Sequence, residues 1–163
     1  MPQLWLIPAD EQSFNETLAK SRNLTPAPDK PDGFPDHARV WGVRTDPEHP
    51  DAPWKRNERN LEKMEPGDPL LVYRNSESRY VAAGRIGGPL WHTEWVRDEF
   101  WNGGPALDVF HIDQWTSIDL EPETVNRILE YEDSFWPQGL WRVADDRPTS
   151  RLLQRIEQEG ASL

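Results

Sequence analysis

The stretch Glu65-Pro66-Gly67-Asp68-Pro69-Leu70-Leu71-Val72-Tyr73-Arg74-Asn75-Ser76-Glu77-Ser78-Arg79-Tyr80-Val81-Ala82-Ala83-Gly84-Arg85-Ile86-Gly87-Gly88 decides the fold class. Pro66, Gly67 and Asp68 are turn residues, so the chain reverses there. Leu70 to Tyr73 is apolar and β-prone; Asn75, Ser76 and Ser78 interrupt it with polar groups; Tyr80 to Ile86 resumes as a second strand. Two such runs around a short polar loop predict a hairpin. The small residues Ala82, Ala83 and Gly84 inside the second run predict a bulge, or a neighbour packed close to the backbone.

Outward from the hairpin, the pattern alternates between strands and helices. Leu4 to Ile7 predicts a strand buried on both faces, and Asp10 an N-cap for a helix from Glu11 to Lys20 with Phe14 and Leu18 inward. Residues 22–37, with four prolines, predict a loop. Ala38 to Val43 reads as a strand and Thr45 to Pro53 as an acidic loop. Trp54 to Met64 reads as a helix stopped by Pro66. Trp91 to Gly104 reads as an aromatic, loop-like segment, Ala106 to Trp115 as a strand, and residues 122–131 and 148–159 as helices. Together these elements predict one α+β domain over residues 1–163, of mostly antiparallel strands that close into a small barrel flanked by helices.

Composition narrows the function. There is no cysteine, so disulfides and thiolate metal sites are excluded. No apolar run is long enough to span a bilayer and no charged-then-apolar leader opens the chain, which predicts a soluble, cytoplasmic protein with no membrane partner. The net charge is −11, from 29 acidic and 18 basic side chains, and only four of the basic ones are lysine. Abundant carboxylates with scarce lysine suggest a halophilic surface; the alternative is an ordinary acidic protein. An acidic balance argues against nucleic acid. Its distribution softens that objection: residues 39–85 hold 9 basic against 8 acidic side chains, whereas residues 86–163 hold 6 against 15. Nine tryptophans exceed the needs of one small core, so some are expected to line a pocket.

Several segments in order resemble the EVE domain, a PUA-like family related to YTH domains. They are Leu4-Trp5-Leu6-Ile7, then Trp41-Gly42-Val43-Arg44, then Arg59-Asn60-Leu61-Glu62-Lys63-Met64-Glu65-Pro66-Gly67-Asp68, then the strand ending at Tyr73 and the glycine-containing strand at Val81 to Ile86. The match covers about residues 3–88; beyond it, Trp95 and Trp101 fall where YTH-like domains carry pocket tryptophans. Two positions depart from the family pattern: Pro8-Ala9-Asp10-Glu11 stands for its Lys-Ser-Glu-Pro, and Thr45 for the asparagine after the Trp-Gly-Val-Arg strand. The resemblance implies a PUA-like pseudo-barrel that holds a modified base in an aromatic pocket. The base would be of the 5-methylcytosine type in DNA, or a methylated base in RNA, with a restriction nuclease subunit as a possible partner.

The chemistry of such a pocket assigns the candidates. A flipped-out base offers two flat faces for stacking and one polar edge for hydrogen bonds. Trp41 is the first stacking candidate, with Gly42 beside it to admit a base to the backbone. Trp95 or Trp101 would sandwich that base, while Tyr73 and Asp10 complete the base-binding set, Asp10 as an edge acceptor. Each of these aromatics has a core-packing alternative, and Asp10 that of an N-cap. Arg44, Lys55, Arg56 and Arg59 are candidates for phosphate contacts; the alternative is a solvated helix face with pairs such as Arg59 with Glu62. Trp91, Trp115, Trp136 and Trp141 are assigned to packing. No catalytic set, cofactor motif or metal set emerges. The competing functions are a hydrolase or nuclease component using Asp46, Glu48, His49 and Asp51, and a small-molecule binder with the same pocket.

Overall fold

The acidic turn at Glu65–Asp68 is followed by strands on both sides of a short loop, as its residues require. In the computed structural model, which describes residues 3–49, 54–161 and 163, β4 (Pro69–Arg74) pairs antiparallel with the start of β5 (Arg79–His92). The register slips between Val72 and Tyr73, whose partners are Ala82 and Tyr80, so Val81 is the extra residue and the bulge lies in the second strand of the hairpin, as expected. The remaining elements are β1 (Trp5–Ala9), α1 (Glu11–Ser13), β2 (Arg22–Asn23), β3 (His37–Arg44), α2 (Trp54–Lys63), α3 (Trp95–Phe100), β6 (Ala106–Leu120), α4 (Pro122–Leu129), β7 (Trp141–Arg142) and α5 (Thr149–Gln158). All described strand pairings are antiparallel except β1 with β4. No described helix is long and apolar enough to cross a membrane.

The chain divides into two compact units. The first comprises Met1–Asp10, Gly67–Arg85 and Gln114–Leu163, the second Glu11–Pro66 and Ile86–Asp113; β5 and β6 are long enough to contribute to both. In the first unit, β1 lies between β4 and β7. Its core gathers Leu4, Leu6, Leu71, Tyr80 and Ala83 from the strands, with Val125 and Leu129 of α4 and Leu152 and Ile156 of α5. Buried Asp68 accepts the Trp5 indole N–H at 2.9 Å, which satisfies both groups inside the fold. In the second unit, β3 pairs with β2 on one side and β6 on the other. Its core is Leu24, Phe34, Val40, Trp91, Val96, Phe100 and Val109.

Several sequence expectations need correction. The helix expected over residues 11–20 widens after Ser13 into a π-helical turn, Phe14–Leu18, closed by Ala19 N–H donating to Phe14 O at 2.8 Å; Phe14 and Leu18 are buried as expected. The proline-rich loop contains the short β2, because Arg22 and Asn23 pair with Ala38 and His37. β5 continues six residues past Ile86, where the expected strand ends, through Gly87 and Gly88. The His111 ring lies flat against Gly87: a Cβ there would sit 2.0 Å from His111 Cε1. β6 likewise runs five residues past Trp115, and β7 has no counterpart in the sequence expectation. Trp95 opens a helix rather than lying in a loop, while Trp101 caps that helix's C-terminal end. Trp136, assigned to packing, is 43% exposed.

Candidate functional site

Trp41 and Gly42 sit in the middle of β3, opposite Phe110 and Val109 of β6. Trp41 is half-buried. After α3 the chain turns through Asn102, Gly103 and Gly104, all with positive φ, a turn that suits two glycines. That turn returns the Trp101 side chain to β3. Its ring lies over Gly42 so closely that a Cβ there would be 2.4 Å from Trp101 Cζ3, and its centroid is 6.3 Å from that of Trp41. The space above Gly42 therefore holds an indole of the protein itself.

The two indoles meet at 65°, edge to face. Sandwiching a base needs near-parallel planes roughly 7 Å apart, twice the carbon–carbon contact distance. Trp41 and Trp101 thus form a corner, in which one ring can offer a face and the other an edge. The Trp101 indole nitrogen is shielded from solvent and has no hydrogen-bond partner among the described residues. Trp95 lies in the same aromatic cluster as Trp101, but its ring stacks on Trp91 (6.3 Å, 18°) and meets Phe100 edge-on (5.7 Å, 86°). Trp91 is buried and held by Phe34 at 5.1 Å, so it anchors Trp95 from below.

The other candidates are placed differently. Asp10, in the first unit, is exposed and immediately precedes α1 in sequence. Tyr73, also in the first unit, is buried; it meets Tyr80 edge-on at 5.2 Å and stacks with Trp136 at 6.3 Å and 21°. The exposed Trp136 is a surface aromatic that periodicity could not flag, because it lies in an irregular loop. Tyr80 is fully buried, and its hydroxyl has no hydrogen-bond partner among the described residues; burial first, then the neighbouring Tyr73 and Tyr131, pushes its phenol pKa up. Arg44, Lys55 and Arg59 are exposed in the second unit, while Arg56 is half-buried. Lys55 lies over the Trp54 ring at 5.6 Å. The spacing allows an Arg59–Glu62 pair, but none forms among the described residues.

The acidic loop after β3 is occupied by the protein's own groups. Asp46 faces Arg97 at 3.8 Å and His49 at 3.6 Å, and it accepts the Glu48 backbone N–H at 2.9 Å. Asp51 lies outside the described residues. Among the described residues no group of three or more His, Asp or Glu side chains could hold a metal ion. A separate cavity of about 390 Å³ in the second unit is lined by Thr45, Glu58, Leu61, Glu62, Leu90, His92 and Asp108. In its wall, Asp108 accepts the Thr45 hydroxyl and pairs with His92 at 3.1 Å.

No family model matches the chain, and no curated protein matches it. Solved structures do. The N-terminal domain of Thermococcus gammatolerans McrB, bound to m5C DNA, superimposes with a TM-score of 0.69 at 15% identity over 96% of this chain and 98% of that one. The YTH domain of the Zygosaccharomyces rouxii MRB1 protein, in complex with N6-methyladenosine RNA, gives 0.59 at 11% identity over 96% and 87%. The Pho92 YTH domain, in complex with m6A, gives 0.57 at 11% identity over 97% and 83%. At these identities the likeness establishes the fold, which is PUA-like: α+β, with mostly antiparallel strands flanked by helices.

Proposed function

We propose that the chain is a non-enzymatic module of the EVE type that recognises a modified base in nucleic acid. The observation that carries this is the half-buried Trp41–Gly42–Trp101 corner, set in a fold whose solved examples hold m5C DNA and m6A RNA. A base turned out of its stack would lie against one indole, a contact of about 1–3 kcal/mol. Its methyl group would gain about 0.8 kcal/mol by burial against the second ring. Gly42 serves this site by seating Trp101. Trp95 backs the cluster, while Tyr73 and Asp10 are the remaining candidates for base contact. Arg44, Lys55, Arg56 and Arg59 are the candidates for the phosphates.

Residues 1–163 make one such domain on this proposal, in keeping with the near-complete coverage of both chains in the McrB superposition. The same likeness favours 5-methylcytosine-type DNA over methylated RNA and makes a restriction nuclease subunit the partner to look for. The acidic, lysine-poor composition fits work in a high-salt cytoplasm. The test is a binding titration with matched oligonucleotides carrying 5-methylcytosine, N6-methyladenine or neither, as DNA and as RNA. Preference for one modified strand of tenfold or more supports the proposal, whereas equal or absent binding across the panel overturns it.

A further inference from the structure

We infer that Arg97 is the positioning residue that holds the Trp41–Trp101 corner in its shape. This rests on the base-binding proposal for the corner's role, though not for its geometry. Arg97 lies on α3, four residues before Trp101, and its side chain is only 15% exposed. Its backbone carbonyl accepts the N–H of Trp101 at 2.9 Å and that of Gly103 at 3.3 Å. Its guanidinium reaches the Gly104 carbonyl at 3.4 Å, Asp98 at 3.0 Å and Asp46 at 3.8 Å. Asp46 lies two residues beyond the end of β3, the strand that carries Trp41. One residue therefore grips the turn that delivers Trp101 and the segment that leaves Trp41. The Asp46 side chain is 13% exposed, so salt screens this pair less than a surface pair. Pro105 O accepts the N–H groups of Thr45 and Asp46 at 2.9 and 3.1 Å, which brings the same two segments together, while the carbonyl of Gly104 in the glycine turn is met by the guanidinium. One nitrogen, Nη1, faces both Asp46 and Gly104 while Nε meets Asp98, and the planar guanidinium fixes these two nitrogens relative to each other, which a single lysine ammonium does not.

Arg97→Met, Arg97→Lys and Asp46→Asn should be compared with the unaltered chain by circular dichroism and by oligonucleotide binding. The Trp41 and Trp101 indoles, with centroids 6.3 Å apart, are close enough for exciton coupling in the far-ultraviolet indole bands, and the difference between the unaltered chain and Trp101→Phe separates their couplet from that of other tryptophan pairs. Arg97→Met should lose most of the couplet assigned by Trp101→Phe, and its preference for the modified oligonucleotide should fall about tenfold. Arg97→Lys should lie between, and Asp46→Asn should weaken both signals. If Arg97→Met does not fold, the lysine and asparagine variants carry the test. A full couplet and unchanged preference in folded variants would overturn the inference. If the unaltered chain shows no preference for any modified base, the functional proposal fails, and the couplet alone still decides what Arg97 does.

Discussion

The Trp101 ring lies on the backbone of Gly42, where a Cβ would approach it to 2.4 Å and Ala106 Cβ to 3.0 Å. That contact joins the β3 strand to the turn after α3 without any polar bond, and it is the most demanding steric relationship at the candidate site. Gly42→Ala must therefore push the Trp101 indole away or bend β3. Overpacking of this kind costs about 1–3 kcal/mol. The expected outcome is a protein that still folds, with altered tryptophan fluorescence and at least tenfold weaker binding of a modified oligonucleotide. Unchanged binding would mean that the Trp101 seat is irrelevant to recognition.

Trp41 and Trp91 should separate binding from stability. Trp41 is half-buried, so Trp41→Ala should remove a stacking contact of about 1–3 kcal/mol from binding while lowering stability less. Trp91 is 2% exposed in the second unit's core, and Trp91→Ala should cost about 3–5 kcal/mol of folding free energy. Urea denaturation alongside binding titrations checks both. Should Trp41→Ala be the one that unfolds, Trp41 is a core residue and not a binding one.

Tyr80 carries a pH prediction. Its phenol pKa is raised in the folded state, chiefly by burial. The unfolded chain then releases this proton first, from about pH 10 upward. Stability is thus fully present below pH 10 and falls as pH rises above it, since the unfolded state binds fewer protons there. Tyr80→Phe removes the ionisable group along with a buried hydroxyl that has no partner among the described residues. It should leave stability at pH 7 unchanged or raise it by up to about 1 kcal/mol, and shift the onset of alkaline unfolding upward. An alkaline transition that starts at the same pH in both proteins would show that another group governs it.

Salt should weaken binding only slightly. Each neutralised phosphate adds roughly 0.7 to 0.9 to the slope of log affinity against log salt. Exposed Arg44, Lys55 and Arg59 can supply only a few such contacts, in a chain of net charge −11. Stacking is short-ranged and persists at 1 M salt, where the screening length is about 3 Å. A slope equivalent to about two phosphates or fewer is expected over a KCl series, and affinity that rises with salt would also fit. A fall equivalent to five or more phosphates would place the binding energy in backbone charge instead of the aromatic corner.

Local chemistry determined a good part of this protein from the sequence by itself. Pro66-Gly67-Asp68 and the β-prone runs after it specified the hairpin, and helical periodicity with a proline at one end, Pro66 after α2 and Pro122 and Pro148 at the starts of α4 and α5, specified those helices. These signals are legible because they act within a few residues. What the tertiary structure alone decided involves residues distant in the chain. The extension of β5 past Ile86 was not legible, and Gly87 within it seats the ring of the distant His111. Gly42, read as an opening for a base, accommodates Trp101 from 59 positions away. Asp46, read as a potential metal ligand, faces Arg97 and His49. In each case the residue type expressed a local permission — a missing Cβ, a free carboxylate — and a neighbour supplied by the fold determined how it was used.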